Sequence, residues 1–125
     1  MEIEKILKKA KNLNINFANI WFTDIAGKIK TFAFSLDKLK ASIDEGLGFD
    51  GSSVTGFQDI DESDLIIKPD LDTAMFFDNN ILEVPSLIFL GNIYAPQYKR
   101  YEGNSRYILS RNIKKLLKKA EIYNI

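Results

Sequence analysis

The chain has 125 residues, 46% of them apolar and 27% charged, which is the composition of one globular domain able to bury its own core. Cysteine and histidine are both absent, which excludes thiol nucleophiles, Cys/His metal centres and imidazole bases and leaves carboxylates, hydroxyls and amines for any chemistry. Seventeen basic residues balance seventeen acidic ones, no run approaches the ~20 apolar residues of a membrane span, and the N-terminus carries no signal-peptide pattern, so a cytoplasmic protein with no membrane partner is expected.

Ile3, Ile6, Leu7, Ala10 and Leu13 recur at helical spacing and predict an amphipathic helix over 2–13, with Lys5, Lys8, Lys9 and Lys11 on its polar side. Residues 17–23 and 28–34 are β-prone, and Asp24-Ile25-Ala26-Gly27 between them is a turn, so this stretch reads as a hairpin. Ser35 is a candidate cap for a second helix in which Leu36, Leu39, Ile43 and Leu47 share a face, with Gly46 and Gly48 marking its end. Residues 48–64 show no sustained period and carry five carboxylates, which predicts a long loop of the kind that often holds function. Short strands follow at 65–67 and 74–77 around a Pro69-Asp70-Leu71-Asp72 turn, and another turn falls at Asp78-Asn79-Asn80. The longest apolar run, Ser86 to Ala95, reads as a central strand bounded by Pro85 and Pro96. A last helix, capped by Asn104 or Ser105, would bury Leu109, Ile113, Leu116, Leu117 and Ala120. Strands that cluster instead of alternating with helices predict an α+β fold in one domain, mostly antiparallel with helices packed on one face.

Charge is unevenly placed. Between Asp44 and Glu83 there are eleven Asp/Glu and one basic residue, Lys68, whereas Lys99 to Lys119 holds eight Lys/Arg against Glu102 alone. A basic helix can meet nucleic acid or an acidic partner. It lacks the interleaved aromatic and glycine pattern of RNA-binding modules, so a solvated helix face is the simpler account and nucleic acid is not an expected partner.

Within 48–64, Phe49-Asp50-Gly51-Ser52-Ser53 sets a carboxylate and two hydroxyls around a glycine. Asp50 could accept a proton or hold a cation, although Asp-Gly-Ser-Ser is also ordinary turn chemistry. Asp59-Ile60-Asp61-Glu62-Ser63-Asp64 invites comparison with a calcium loop, which needs glycine at its sixth position and glutamate at its twelfth. Counting from Asp59, those positions hold Asp64 and Asp70, so no metal site is assigned. Neither glycine-rich phosphate-loop pattern occurs, which leaves nucleotide binding without local support. Phe57 either tucks onto the core or meets a partner.

Phe49-Asp50-Gly51-Ser52-Ser53-Val54-x-Gly56-Phe57, then Ile60-x-Glu62-Ser63-Asp64-Leu65, then Pro69-Asp70-x-Asp72-Thr73 resemble, in order and spacing, the N-terminal domain of type I glutamine synthetases. Upstream, Trp21-Phe22-Thr23-Asp24-x-x-Gly27-Lys28 is similar to that family's first hairpin, so the resemblance spans residues 15–125. It implies a β-grasp fold, with 1–125 as a single N-terminal domain. It also implies an enzyme that joins glutamate and ammonia through a γ-glutamyl phosphate, using ATP and divalent metal, magnesium or manganese, at a site between subunits of stacked rings. By the same resemblance Asp50 binds ammonium and helps remove its proton in a neighbouring subunit, and Ser53 shapes the ammonium pocket.

The family's catalytic barrel, with its metal ligands and ATP site, should begin just after Ile125 and is not in these residues. No ligase activity is therefore expected from the chain alone, and no cofactor is expected to bind it alone. Asn92 stands where the family usually has Asp, Asn104-Ser105-Arg106 stands for Asp-Pro-Arg, and Asp78 to Pro85 is shorter than the usual loop. Three functions compete. The chain is an N-terminal part of a split or truncated synthetase that lends Asp50 to a barrel-bearing subunit, or a stand-alone β-grasp module that co-assembles with a full-length enzyme and modulates it, or a nucleic-acid binder using the basic helix. The first two imply a homo- or hetero-oligomer.

Overall fold

The computed structural model describes residues 2–54 and 64–122. In chain order the elements are α1 (Ile3–Asn12), β1 (Phe17–Thr23), β2 (Ile29–Ser35), α2 (Leu39–Asp44), β3 (Leu47–Asp50), β4 (Asp64–Pro69), β5 (Met75–Phe77), β6 (Ser86–Tyr94) and α3 (Ser105–Ile122). The β1–β2 hairpin forms as its alternation and turn residues require. Asp24 is buried, and its Oδ1 accepts the backbone N–H groups of Ala26 (3.0 Å) and Lys28 (2.9 Å), while Gly27 takes the positive φ of 83° that closes the turn.

The sheet runs in the order β2-β1-β6-β4-β3, and β5 also pairs with β6. β6 is the hub. It lies parallel to β1 and antiparallel to β4 and β5, with Met75–Phe77 opposite its first residues and Ile66–Pro69 opposite its last. Its first four residues, Ser86 to Phe89, are all buried, so both of its faces are covered there, and a strand covered on both faces reads as a continuous apolar run. Leu87, Phe89 and Ile93 are fully buried with Ile20 of β1 and Leu65 and Ile67 of β4, and α1 and α2 add Ile6, Ala10 and Leu39 to this core. Each of these Leu, Ile and Phe side chains contributes about 1.5–3 kcal/mol by leaving water. Gly91 is required where these layers meet, because a Cβ there would run into the side chains of Ile20 and Ile67.

Several expectations need correction. The Ser35 side chain makes no cap bond; the chain makes a tight turn over 36–38 before α2. α2 stops at Asp44, and Leu47 does not belong to it. Gly46 takes a φ of 73°, and a Cβ there would strike Ile66, so the chain reverses and Leu47 pairs with Ile67 instead. The stretch expected to be loop from 48 therefore opens with a strand, β3, because ladder bonds to β4 satisfy its backbone where no local pattern announces them. Phe57 and the Asp59–Ser63 cluster lie outside the described residues. No residue of α3 is buried: Leu109 (60% exposed), Ile113, Leu116 (67%) and Leu117 present an apolar side to solvent. Periodicity set the helix and its apolar stripe, but among the described residues no layer covers that stripe.

Candidate functional site

β3 delivers Asp50 to the end of the β3–β4 ladder. Alternation turns Phe49 inward, where its ring meets Phe22 (5.5 Å between centroids) and Phe32 (6.5 Å), so the next residue, Asp50, faces solvent. The chain then tightens over Gly51–Ser53. Asp50 Oδ1 accepts from the backbone N–H of Ser52 (2.9 Å) and from Ser52 Oγ (2.6 Å). Ser53 Oγ donates to the Asp50 main-chain oxygen (2.8 Å), and Val54, buried, donates its N–H to Gly51 O (3.1 Å). The carboxylate is thus oriented by its own turn, which is itself pinned by Phe49 before it and Val54 after it.

Of the two site residues read from the sequence, Asp50 and Ser53 fall in one turn, but the hydroxyl on the carboxylate is that of Ser52. Ser53 holds the backbone. The missed residue was legible, since an Asp two residues before a Ser commonly accepts that residue's N–H. Across the ladder, Asp50 is in register with Asp64, also exposed. Two carboxylates directly opposite on a sheet repel each other, and a cation between them relieves that cost. A cleft of about 470 Å³ lined by Phe49, Asp64, Leu65 and Pro96 adjoins Asp64. Among the described residues no group of three or more carboxylates is placed to hold a metal ion.

A second polar cluster joins the Asp70 turn after β4, β6 and α3. Arg106 Nη2 donates to Asp70 Oδ2 and Arg106 Nη1 to Asn92 Oδ1, both at 2.8 Å. Asn104 stands at the N-cap position of α3, its main-chain oxygen accepting the Ile108 N–H (3.1 Å), but its side-chain Oδ1 is buried without a partner among the described residues; Ser105 Oγ bonds Thr23 Oγ1 (2.7 Å), tying the helix start to β1. Burial pushes the Tyr101 phenol above its ordinary pKa, and the Glu102 carboxylate raises the Arg111 guanidinium through a 2.7 Å hydrogen bond.

Residues 14–96 match the family described as glutamine synthetase, β-grasp domain. The chain belongs to that family. Relatives of this glutamine synthetase domain include the glutamine synthetase of Thermotoga maritima, 36% identical over 92% of this chain and 26% of the relative, and that of Thermus thermophilus, 33% identical over 91% and 26%. The chain spans about a quarter of the length of the curated relatives it matches. The glutamine synthetase of Plasmodium falciparum, solved by electron cryomicroscopy, superposes with a TM-score of 0.74 at 22% identity, covering 93% of this chain and 22% of that one, and so shares its fold. α3 lies beyond the span matched to the β-grasp family. No helix among the described residues is long and apolar enough to cross a membrane.

Proposed function

We propose that this glutamine synthetase domain supplies the Asp50 turn to the active site of a neighbouring, barrel-bearing subunit, where glutamine is made from glutamate and ammonia. The observation that carries the reading is the Asp50 carboxylate itself, exposed at the end of β3, oriented by Ser52 and set opposite Asp64. In this reading the paired negative charges favour ammonium over neutral molecules. The Asp50 carboxylate then takes one proton from ammonium, which frees the nitrogen lone pair to attack an activated acyl group. Ser53 keeps the turn closed at the rim of the pocket. ATP and divalent metal, magnesium or manganese, which activate the glutamate carboxyl group, bind in the partner's barrel. The chain alone does not turn over, and its working form is a homo- or hetero-oligomer.

The test is complementation. A glutamine synthetase subunit lacking its own N-terminal domain is mixed with this chain, and glutamate- and ammonium-dependent phosphate release from ATP is measured. The parent chain restores turnover, and Asp50→Ala lowers it by about 10²-fold or more while circular dichroism stays unchanged. Turnover restored equally by Asp50→Ala refutes the reading. A second reading, a β-grasp module that co-assembles with a full-length synthetase and modulates it, is favoured by the exposed apolar side of α3. It requires co-purification that Asp50→Ala leaves intact and that Leu116→Asp removes.

A further inference from the structure

Arg100 and Arg106 converge on one uncharged acceptor. Arg106 Nη1 (2.8 Å) and Arg100 Nη2 (3.3 Å) both donate to Asn92 Oδ1. A guanidinium does not lose its proton in a protein, so the two positive charges persist side by side with an amide oxygen between them. The same cleft, about 450 Å³, is lined by Asp70, Leu109, Ser110, Ile113 and Lys114. Its one carboxylate is already engaged: Asp70 Oδ2 takes Arg106, and Oδ1 takes the Asp72 N–H at 3.1 Å. Neither Arg100 nor Lys114 has an acidic partner among the described residues, and Arg100 Nε is buried with no acceptor.

The cationic groups are also held in place. The Arg100 guanidinium lies over the rings of Tyr107 (4.7 Å to the centroid) and Tyr94 (5.5 Å), contacts that fix its plane without reducing its charge. The Arg106 fork is fixed by Asp70 and Asn92. A preorganised guanidinium with no acidic partner among the described residues, Arg100, beside a second one held by Asp70 and next to a small cleft, is what recognition of a carboxylate or phosphate requires. The volume is that of a small-molecule site, and Leu109 and Ile113 give it an apolar wall for a short carbon chain.

We propose that the cleft between the Asp70 turn, β6 and α3 is a binding site for a small oxyanion, held by Arg100 and Arg106 with Lys114 beside them. The shared chemistry is a negatively charged group with two or more oxygens, from a dicarboxylate or from phosphate. The site is separate from the Asp50 turn and does not depend on its role.

The test uses the 125-residue chain in buffer free of both anions, titrated in parallel with inorganic phosphate and with succinate at constant ionic strength held by sodium chloride. Saturable binding is read by calorimetry and by the rise in Tm. Binding of phosphate alone identifies a phosphate-bearing ligand, binding of succinate alone a dicarboxylate, and binding of both a general oxyanion site; each supports the proposal. Binding of neither overturns it. Arg100→Gln removes a cation and Asn92→Asp supplies the missing negative charge from within, so each weakens binding by about tenfold or more. Asn92→Asp adds a charge partner where the amide now sits, which keeps the test open if Arg100→Gln fails to fold. Affinity unchanged in Asn92→Asp overturns the proposal.

Discussion

The turns at Asp50 and Asp70 have nearly the same local structure and opposite surroundings. In each, the Asp Oδ1 accepts the N–H two residues on (Ser52, 2.9 Å; Asp72, 3.1 Å), and a hydroxyl three residues on donates to the Asp main-chain oxygen (Ser53, 2.8 Å; Thr73, 2.7 Å). Beyond that the two part. Thr73 Oγ1 also accepts the Leu90 N–H at 2.8 Å, and Asp70 Oδ2 takes Arg106, so this turn bridges the place where β6 passes from β5 to β4. The Asp50 turn ends a ladder at the surface. The same short-range hydrogen bonds thus serve as a structural clamp in one place and as the mount for an exposed carboxylate in the other. Long-range neighbours decide which.

Exchanging readouts between the turns tests this. The largest expected effect is on activity: Asp50→Ala lowers complemented turnover by about 10²-fold or more, yet shifts stability by no more than about 1 kcal/mol, the usual value of an exposed cap. Asp70→Ala should do the reverse. Losing its cap and its bond to Arg106 costs about 2 kcal/mol in a urea titration, and any activity that remains follows the folded fraction. Thr73→Val, nearly isosteric, strands the half-buried Leu90 N–H and should cost about 1 kcal/mol by the same measurement. Ser53→Ala, at an exposed hydroxyl, should stay within about 0.5 kcal/mol of the parent. If Asp50→Ala and Asp70→Ala lower the urea midpoint equally, the contrast between mount and clamp is lost.

Legibility followed the range of the interactions involved. α1, the hairpin and β6 were readable because each announces itself within a few residues: the Ile6–Ala10 spacing, the Asp24–Gly27 turn and the uninterrupted run after Pro85. β3 was not. Four residues, with a glycine among them, show no alternation worth reading, and their partner β4 begins only at Asp64. α3 was read as a helix with an apolar side, but periodicity says nothing of what lies opposite, and in this chain Leu116 stays 67% exposed. At the candidate site, Asp50 and Ser53 were visible through an extended motif and Ser52 was legible from its spacing to Asp50, whereas the register with Asp64 depends on the tertiary structure. The departure at Asn92 and the retained Arg106 after Asn104-Ser105 were visible as letters. Their meeting on one oxygen, with Arg100 as a third member, was not.

Composition and motif order alone determined that this chain has no imidazole or thiol chemistry, that it forms an α+β domain of the glutamine synthetase β-grasp family, and that Asp50 closes a tight turn. Those properties follow from residue chemistry and from hydrogen bonds spanning two or three residues. Only the tertiary structure decided that β6 is the hub of the sheet, that Asp64 faces Asp50, and that Arg106 reaches back to Asp70 across 36 residues. Each of these depends on which distant segments pay the entropy of being brought together, a cost repaid by burying Leu87, Phe89 and Ile93 in one core.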